Sequence, residues 1–264
     1  MKIGFIGLGN MASAMIGGII NAGLARSQDI YGSAHTKATL DKKTEEFGIV
    51  GCTDNAKVVN ESDIIILAVK PQMYEEVIKT VAEFITSEKI VVSIAPGKTL
   101  EWLASMMPQG TKIVRCMPNT PALVGEGCTG VCRNLHVNTE DFEKVMSILQ
   151  SFGKAFEVKE SMMDAVVAVS GSSPAYIFML IEAMADGAVI SGLTRKEAYQ
   201  FAAQSVLGAA KMVLETGMHP GELKDMVCSP AGTTIEAVRI LEERGFRSAV
   251  IAAEKACADK SRGM

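Results

Sequence analysis

Residues 2–12, Lys2-Ile3-Gly4-Phe5-Ile6-Gly7-Leu8-Gly9-Asn10-Met11-Ala12, carry a short apolar run into two glycines and straight on into a helical pattern. Strand, glycine turn and helix in that order restrict what the start of the chain can fold into. Gly7 allows the tight turn, Gly9 leaves the backbone open to a pyrophosphate, and Ala12 stands in the third glycine's place, small enough for close strand–helix packing. A phosphate there would meet the free N–H groups at the helix start, where the dipole also favours an anion. An ordinary glycine turn is the simpler reading of the same residues.

The following segments repeat the alternation. Asp29 to Ser33 reads as a second strand, and Lys37 to Phe47 as a helix stopped by Gly48. Asp54 can cap a short helix through Asn60. Asp63 to Val69 and Lys89 to Ala95 are continuous apolar runs, the pattern of central parallel strands covered on both faces. Lys70-Pro71 and Pro96-Gly97 end them. A helix is expected from Met73 to Phe84, Thr99 opens another, and Thr111 to Cys116 is a further strand. Val131 closes another strand, Glu140 to Phe152 is helical, and Ala155 to Val158 is the last strand. This order implies right-handed crossovers and an α/β, Rossmann-type doubly wound sheet over residues 1–160.

From about Ser161 no strand is evident. Residues 161–264 read as an all-α domain, with helices at Ala175–Ile190, Glu197–Glu215, Glu222–Val227, Thr234–Arg244 and Ser248–Ala258. The first of these is apolar almost all round, the mark of an enclosed helix. About 100 residues cannot easily enclose it alone, so dimerisation through this domain is expected. The alternative is a compact monomeric bundle packed on the sheet.

Composition narrows the partners. The net charge is −4, from 26 basic and 30 acidic residues, which leaves no electrostatic footprint for nucleic acid or an anionic membrane. Residues 1–24 do not read as a signal peptide, and no run of ~18 purely apolar residues suggests a membrane span. The six cysteines form no C-x-x-C pair and the three histidines are far apart, so no metal site is expected. Reduced thiols and a cytoplasmic location fit this usage.

An NAD-preferring site places Asp or Glu at the end of the second strand. Here that end reads Ser33-Ala34-His35-Thr36-Lys37, and Asp29 stands at the strand's other end. Hydroxyls with Lys37, and His35 beside it, suit a 2′-phosphate, so NADPH is expected, with NADH possible. Lys37 as a solvated lysine in a first helical turn is the competing reading. Ligands in such sheets gather at the carboxyl ends of strands. Three candidate ends are Ala68-Val69-Lys70-Pro71, Ser93-Ile94-Ala95-Pro96-Gly97 and Arg115-Cys116-Met117-Pro118-Asn119-Thr120-Pro121.

The first and third of these, with Gly7-x-Gly9-x-Met11-Ala12, resemble pyrroline-5-carboxylate reductases. So do Ser170-Gly171-Ser172-Ser173-Pro174-Ala175-Tyr176, Ala185-Asp186-Gly187, His219-Pro220-Gly221-Glu222-Leu223-Lys224-Asp225 and Ser229-Pro230-Ala231-Gly232-Thr233-Thr234, in the family's order and across nearly the whole chain. The resemblance implies reduction of (S)-1-pyrroline-5-carboxylate to L-proline with NAD(P)H, the last step of proline synthesis. It also implies a Rossmann domain followed by a helical one, dimers through interleaved helical domains, and larger rings of dimers.

By resemblance, Ile6, Gly7, Leu8, Gly9, Asn10 and Met11 lie against the pyrophosphate. Ala34, His35 and Thr36 lie near the adenosine ribose or its phosphate, and Asn55 on the adenosine side. Ala68, Val69, Lys70 and Pro71, with Ala95 and Gly97, fall toward the nicotinamide. Glu160 matches a position by the substrate, and Thr233 and Thr234 match contacts to its carboxylate. Ser229, Gly232 and their neighbours supply hydroxyls and N–H groups at a helix start, a carboxylate cradle that also reads as an ordinary capped helix.

Two departures stand out. Val167 replaces the family's usual threonine, a proposed proton donor or imine ligand, and Ser173 replaces a frequent glycine. No residue is assigned as the general acid. Ser172, Ser173 or a bound water could hydrogen-bond the imine nitrogen, and protonation in solution would lessen the need for a dedicated acid. Two other readings stay open. One is a related imine or 3-hydroxy acid reductase, for which Lys211 would be the lysine. The other is a non-catalytic NADPH-binding sensor, supported by Val167.

Overall fold

The structure is a computed structural model that describes residues 1–263. The chain alternates β1 (Ile3–Ile6), α1 (Asn10–Asn21), β2 (Ile30–Ser33), α2 (Lys37–Phe47), β3 (Val50–Cys52), α3 (Asn55–Glu61) and β4 (Ile64–Leu67). It continues with α4 (Tyr74–Val81), β5 (Ile90–Ser93), α5 (Leu100–Ser105), β6 (Lys112–Met117), β7 (Gly127–Arg133), α6 (Thr139–Gln150) and β8 (Gly153–Glu157). The eight strands form one sheet in the order β3-β2-β1-β4-β5-β6-β7-β8. Every pair is parallel except β6 with β7, where Arg115 faces Cys132 and Cys116 faces Val131. The strand order reverses between β1 and β4, which makes that crevice the topological switch point.

The apolar runs are central strands because both faces are covered. Ile3, Phe5, Ile64, Ile66 and Val92 point into one core with Met15 and Ile19 of α1 and Phe142 and Leu149 of α6. Ile6, Ile65, Leu67 and Val91 point into the other with Val58, Tyr74, Ile78 and Leu103. Each such side chain stabilises the fold by about 1.5–3 kcal/mol. Caps expected from sequence form: the Asp54 carboxylate accepts the Ala56 N–H at 2.9 Å and the Thr99 hydroxyl accepts the Trp102 N–H at 3.0 Å. Gly48 ends α2 in the left-handed region at φ 68°.

Two elements differ from expectation. The edge strand β3 is absent from the sequence reading, because three residues with a glycine in the middle carry no alternation. The helix expected from Met73 to Phe84 is α-helical only over Tyr74–Val81, with a 3₁₀ turn on each side.

No strand follows β8 among the described residues. The remaining elements are a 3₁₀ turn at Glu160–Met162, α7 (Met163–Val166), a π-helical stretch (Val167–Ser172), α8 (Ser173–Ile190), α9 (Arg195–Thr216), α10 (Pro220–Met226), α11 (Thr233–Glu243) and α12 (Phe246–Arg262). The chain falls into two compact units. Met1–Ser172 with the residues from Cys257 onward form one, and Ser173–Ala256 the other.

Within the helical unit, α8 meets α9 along a seam of small residues, Ala185, Ala198 and Ala202. Thr194 and Glu197 form a reciprocal capping box at the start of α9. As expected of a helical domain too small to enclose this helix alone, Ala185 is the one buried residue of α8, while Phe178 is 62% and Met179 67% exposed. A seam of alanines is too narrow to cover a helix that is apolar on every side. The helical run Glu160–Ile190 is also long and apolar enough, by length and composition, to cross a membrane. Polar residues interrupt it, so it contains no run of ~18 purely apolar residues, as expected from the sequence. All six cysteines are free thiols.

Candidate active site

At the switch point the backbone of β1 turns at Gly7, whose φ is 99°. A Cβ there would lie 2.7 Å from the Ala68 carbonyl oxygen, so only glycine fits both the angle and the space. The Gly7 N–H donates to the Ser33 oxygen at 3.0 Å and the Ala68 N–H to the Ile6 oxygen at 2.8 Å, which ties the ends of β1, β2 and β4 together. Gly9 is the N-cap of α1, with no side-chain cap and no acidic residue in the first turn. A Cβ on Gly9 would meet nothing within 4 Å. The leading N–H groups of α1 therefore open onto free space, as a pyrophosphate requires. Leu8 is buried, Asn10 is exposed and Met11 is half-buried beside them.

A cavity of about 440 Å³ continues from this turn, lined among others by Gly7, Ser33, Ala34, His35, Asn55 and Val69. The buried Ser33 hydroxyl donates to Asn55 Oδ1 at 2.7 Å, which leaves the Asn55 amide hydrogens to the cavity. Thr53, Asp54 and Met73 also line it, and sequence reasoning had not placed them there. His35 and Lys37 are exposed at the start of α2. The Thr36 hydroxyl beside them accepts the Thr39 N–H at 3.2 Å and donates to Thr39 Oγ1 at 2.9 Å, so it also caps α2.

The next two strand ends are joined through Tyr74. The wholly buried Tyr74 hydroxyl donates to the Leu67 oxygen at 2.5 Å and accepts from the Ser93 hydroxyl at 3.3 Å. Burial pushes the phenol above its usual range and keeps it protonated. This bridge fixes the bases of the Ala68–Pro71 and Ala95–Gly97 loops. Lys70 is exposed just before Pro71, Ala95 is buried, and Gly97 turns at φ 73°.

Glu160 sits beside the third loop, tied on one oxygen. Its Oε1 accepts from the Leu100 N–H at 2.7 Å and from Arg115 at 2.9 Å. The carboxylate thus caps α5 and pairs with an arginine that is only 7% exposed. Gly97, Thr99, Arg115, Glu160, Asp164 and Ser261 share a cavity of about 350 Å³. Ser172, last in the π-helical stretch, accepts from the Cys257 thiol at 3.2 Å. Ser173 opens α8, and Val167 is buried at the head of the stretch.

In the helical unit, α11 begins at Thr233 behind Gly232, again with no side-chain cap. The Gly232 N–H donates to the Ser229 oxygen at 3.0 Å, and Ala231 adopts a left-handed φ of 55°. Ser229, Thr233 and Thr234 bring three hydroxyl side chains to the sequence around this helix start. Pro230 lies in the loop ahead of α11. Lys211 is a solvent-facing lysine paired with Glu215 at 3.4 Å, not a desolvated amine.

Comparison with known proteins agrees with this geometry. Residues 2–97 match the family model "NADP oxidoreductase coenzyme F420-dependent", and residues 160–264 match "Pyrroline-5-carboxylate reductase dimerisation". The chain is 51% identical to pyrroline-5-carboxylate reductase from Escherichia coli K12, over 98% of this chain and 97% of that one. The structure of the Coxiella burnetii pyrroline-5-carboxylate reductase superposes with a TM-score of 0.93 at 34% identity, covering 99% of this chain and 97% of that one. The Plasmodium falciparum pyrroline carboxylate reductase, solved with NADP bound, gives a TM-score of 0.90 at 34% identity over 100% and 97%. A glycine turn open to a dinucleotide, a helical dimerisation region and full-length identity at this level place the chain in the pyrroline-5-carboxylate reductase family.

Proposed function

We propose that this chain reduces (S)-1-pyrroline-5-carboxylate to L-proline, with NADPH as the preferred donor and NADH as the lesser one. One observation carries the reading. Among the described residues, six helices start under a side-chain cap, from Thr36, Asp54, Thr99, Asn138, Thr194 and His219. α1 and α11 instead start behind a bare glycine, one in each unit. Two open helix starts suit the two anions of this reaction, the cofactor pyrophosphate and the substrate carboxylate.

The turn at Gly7 and Gly9 fits the cofactor, because it leaves a space that a Cβ on Gly9 would fill. Ile6–Met11 would hold the pyrophosphate. Ser33, Ala34, His35, Thr36, Lys37 and Asn55 would hold the adenosine half; the absence of a carboxylate at the end of β2 favours the 2′-phosphate. Ala68–Pro71 with Ala95 and Gly97 would flank the nicotinamide. NADPH supplies the hydride that adds to the C=N carbon. The chain's own work is alignment, anion binding and proton supply. Ser229, Gly232, Thr233 and Thr234 cradle the carboxylate, and Glu160 holds the loop before α5. Ser172 and Ser173 are the hydroxyls offered to the nitrogen. The Ser172 oxygen takes the Cys257 thiol proton in a hydrogen bond, which leaves its own O–H free to donate.

The cofactor part is assigned to residues 1–160 and the helical part to residues 161–264. Self-association runs through the exposed apolar residues of α8, Phe178 and Met179 among them, and the enzyme works in the cytoplasm. The test is NADPH and NADH oxidation with racemic pyrroline-5-carboxylate, on wild type and Val167→Thr. Turnover by wild type, faster with NADPH, is expected. Turnover by Val167→Thr alone would instead favour a non-catalytic NADPH-binding chain.

A further inference from the structure

The π-helical stretch Val167–Ser172 is held by a side chain from far away in sequence. In α-helical register the Ser170 carbonyl would accept the N–H of residue 174, which is a proline and has none. A buried carbonyl needs another donor. Asn119, itself 7% exposed, donates its Nδ2 amide to the Ser170 oxygen at 2.9 Å. Its Oδ1 accepts the Cys128 N–H at 2.8 Å, and its backbone carbonyl accepts the Ala122 N–H at 3.2 Å. One side chain thereby joins the loop after β6, the start of β7 and the π-helical stretch.

Packing holds the stretch against the same two strands. A Cβ on Gly130 would lie 2.6 Å from Val166 Cγ1, and one on Gly171 would lie 3.2 Å from Met117 Cε. Met117 is the last residue of β6, at the ligand-binding edge of the sheet. Single π turns inside helices occur often at functional sites. This one carries Val167 at its head and Ser172 at its end.

We propose that Asn119 is a positioning residue of the reductase. Its amide supplies the donor that Pro174 cannot, fixes the π register, and so sets where the Ser172 hydroxyl stands at the sheet edge. The inference rests on the reductase reading above. It also explains why an amide is needed. Aspartate would still accept from Cys128 but would turn an anionic oxygen onto the Ser170 carbonyl.

The test is steady-state kinetics and thermal melting of wild type, Asn119→Asp, Pro174→Ala and the double variant, with NADPH and pyrroline-5-carboxylate. Asn119→Asp is expected to lower kcat about 10- to 100-fold, the effect of misplacing a group by about 1 Å, with KM for NADPH within about twofold. Deuterium at the transferred position of NADPH should then slow the variant more than wild type, because hydride transfer has become limiting. Pro174→Ala gives the Ser170 carbonyl an N–H within its own helix and draws the stretch toward α register. It should therefore lower kcat with Asn119 intact, and in the double variant restore the melting temperature without restoring kcat. Melting and kcat recovering together would assign Asn119 to stability alone, as would an unchanged kcat in both Asn119→Asp and Pro174→Ala. Should Asn119→Asp not fold, Pro174→Ala decides by itself. A wild type that does not turn over overturns the reductase reading and this inference with it; an active wild type with unaffected variants overturns this inference only.

Discussion

Gly7 and Gly9 stand two residues apart in one turn, yet alanine at each should fail in a different way. At Gly7 the backbone has φ 99°, and a Cβ would lie 2.7 Å from the Ala68 oxygen and 2.8 Å from its carbonyl carbon. The left-handed angle costs a non-glycine residue about 1–2 kcal/mol. The contact adds to that, because both obstructing atoms belong to the backbone of the neighbouring strand end and cannot rotate away. Gly7→Ala should therefore destabilise the fold by about 3 kcal/mol or more.

Gly9 has φ −78° and ψ −171°, a region open to any residue, and a Cβ there meets nothing within 4 Å. The lower entropy of the unfolded alanine chain adds about 0.4–1 kcal/mol of stability, and alanine's poorer N-capping offsets a part of it. Gly9→Ala should fold as well as wild type. Its methyl group, however, occupies the approach to the N–H groups of α1. Losing one charge-assisted hydrogen bond to the pyrophosphate, worth about 1.5–3 kcal/mol, weakens NADPH binding about 10- to 100-fold. Urea unfolding and fluorescence titration with NADPH read the two effects separately. NADPH binding by Gly9→Ala at wild-type strength would refute the assignment of this turn to the pyrophosphate. Unchanged stability in Gly7→Ala would refute the packing argument.

Four further outcomes can be checked. Glu160→Ala strands the buried Arg115 and uncaps the Leu100 N–H, so urea unfolding should register a loss of about 2–4 kcal/mol. Tyr74→Phe removes the phenol donor of the Leu67 carbonyl, which keeps the Ile94 N–H at 3.4 Å, and should cost about 0.5–1.5 kcal/mol by the same measurement. Lys37→Ala should raise KM for NADPH and leave KM for NADH unchanged, as a contact to the 2′-phosphate requires. Burial pushes the Cys132 thiol up to about 12 from an unfolded value of 9.0, and moves Cys116 in the same direction. Folded thiols therefore keep protons that unfolded ones release above pH 9, so stability is full below that pH and falls as pH rises toward 12, by up to about 1.4 kcal/mol per pH unit for each thiol. Unfolding midpoints across that range measure it.

Features set by local pattern were legible in the sequence. Ile64–Leu67 and Ile90–Ser93 read as central strands because burial on both faces removes alternation. Asp54 and Thr99 read as caps because a capping bond reaches only two or three residues ahead. The glycine turn after β1 was legible for the same reason. Long-range ties left no local trace. Tyr74 reaches Leu67 and Ser93, Glu160 reaches Leu100 and Arg115, and Asn119 reaches Cys128 and Ser170. Thr36, expected near the adenosine ribose or its phosphate, also caps α2 with its hydroxyl, a short-range tie. Apolar residues all round marked α8 as a helix that a domain of about 100 residues cannot easily cover, and its exposed Phe178 and Met179 agree.

The central claim is chemical, and its most direct measurement is the product. Purified wild-type chain, NADPH and racemic pyrroline-5-carboxylate should yield one L-proline for each NADPH oxidised, with no D-proline, by chiral chromatography. NADPH binding without proline formation, or oxidation with no proline to match it, would contradict the account.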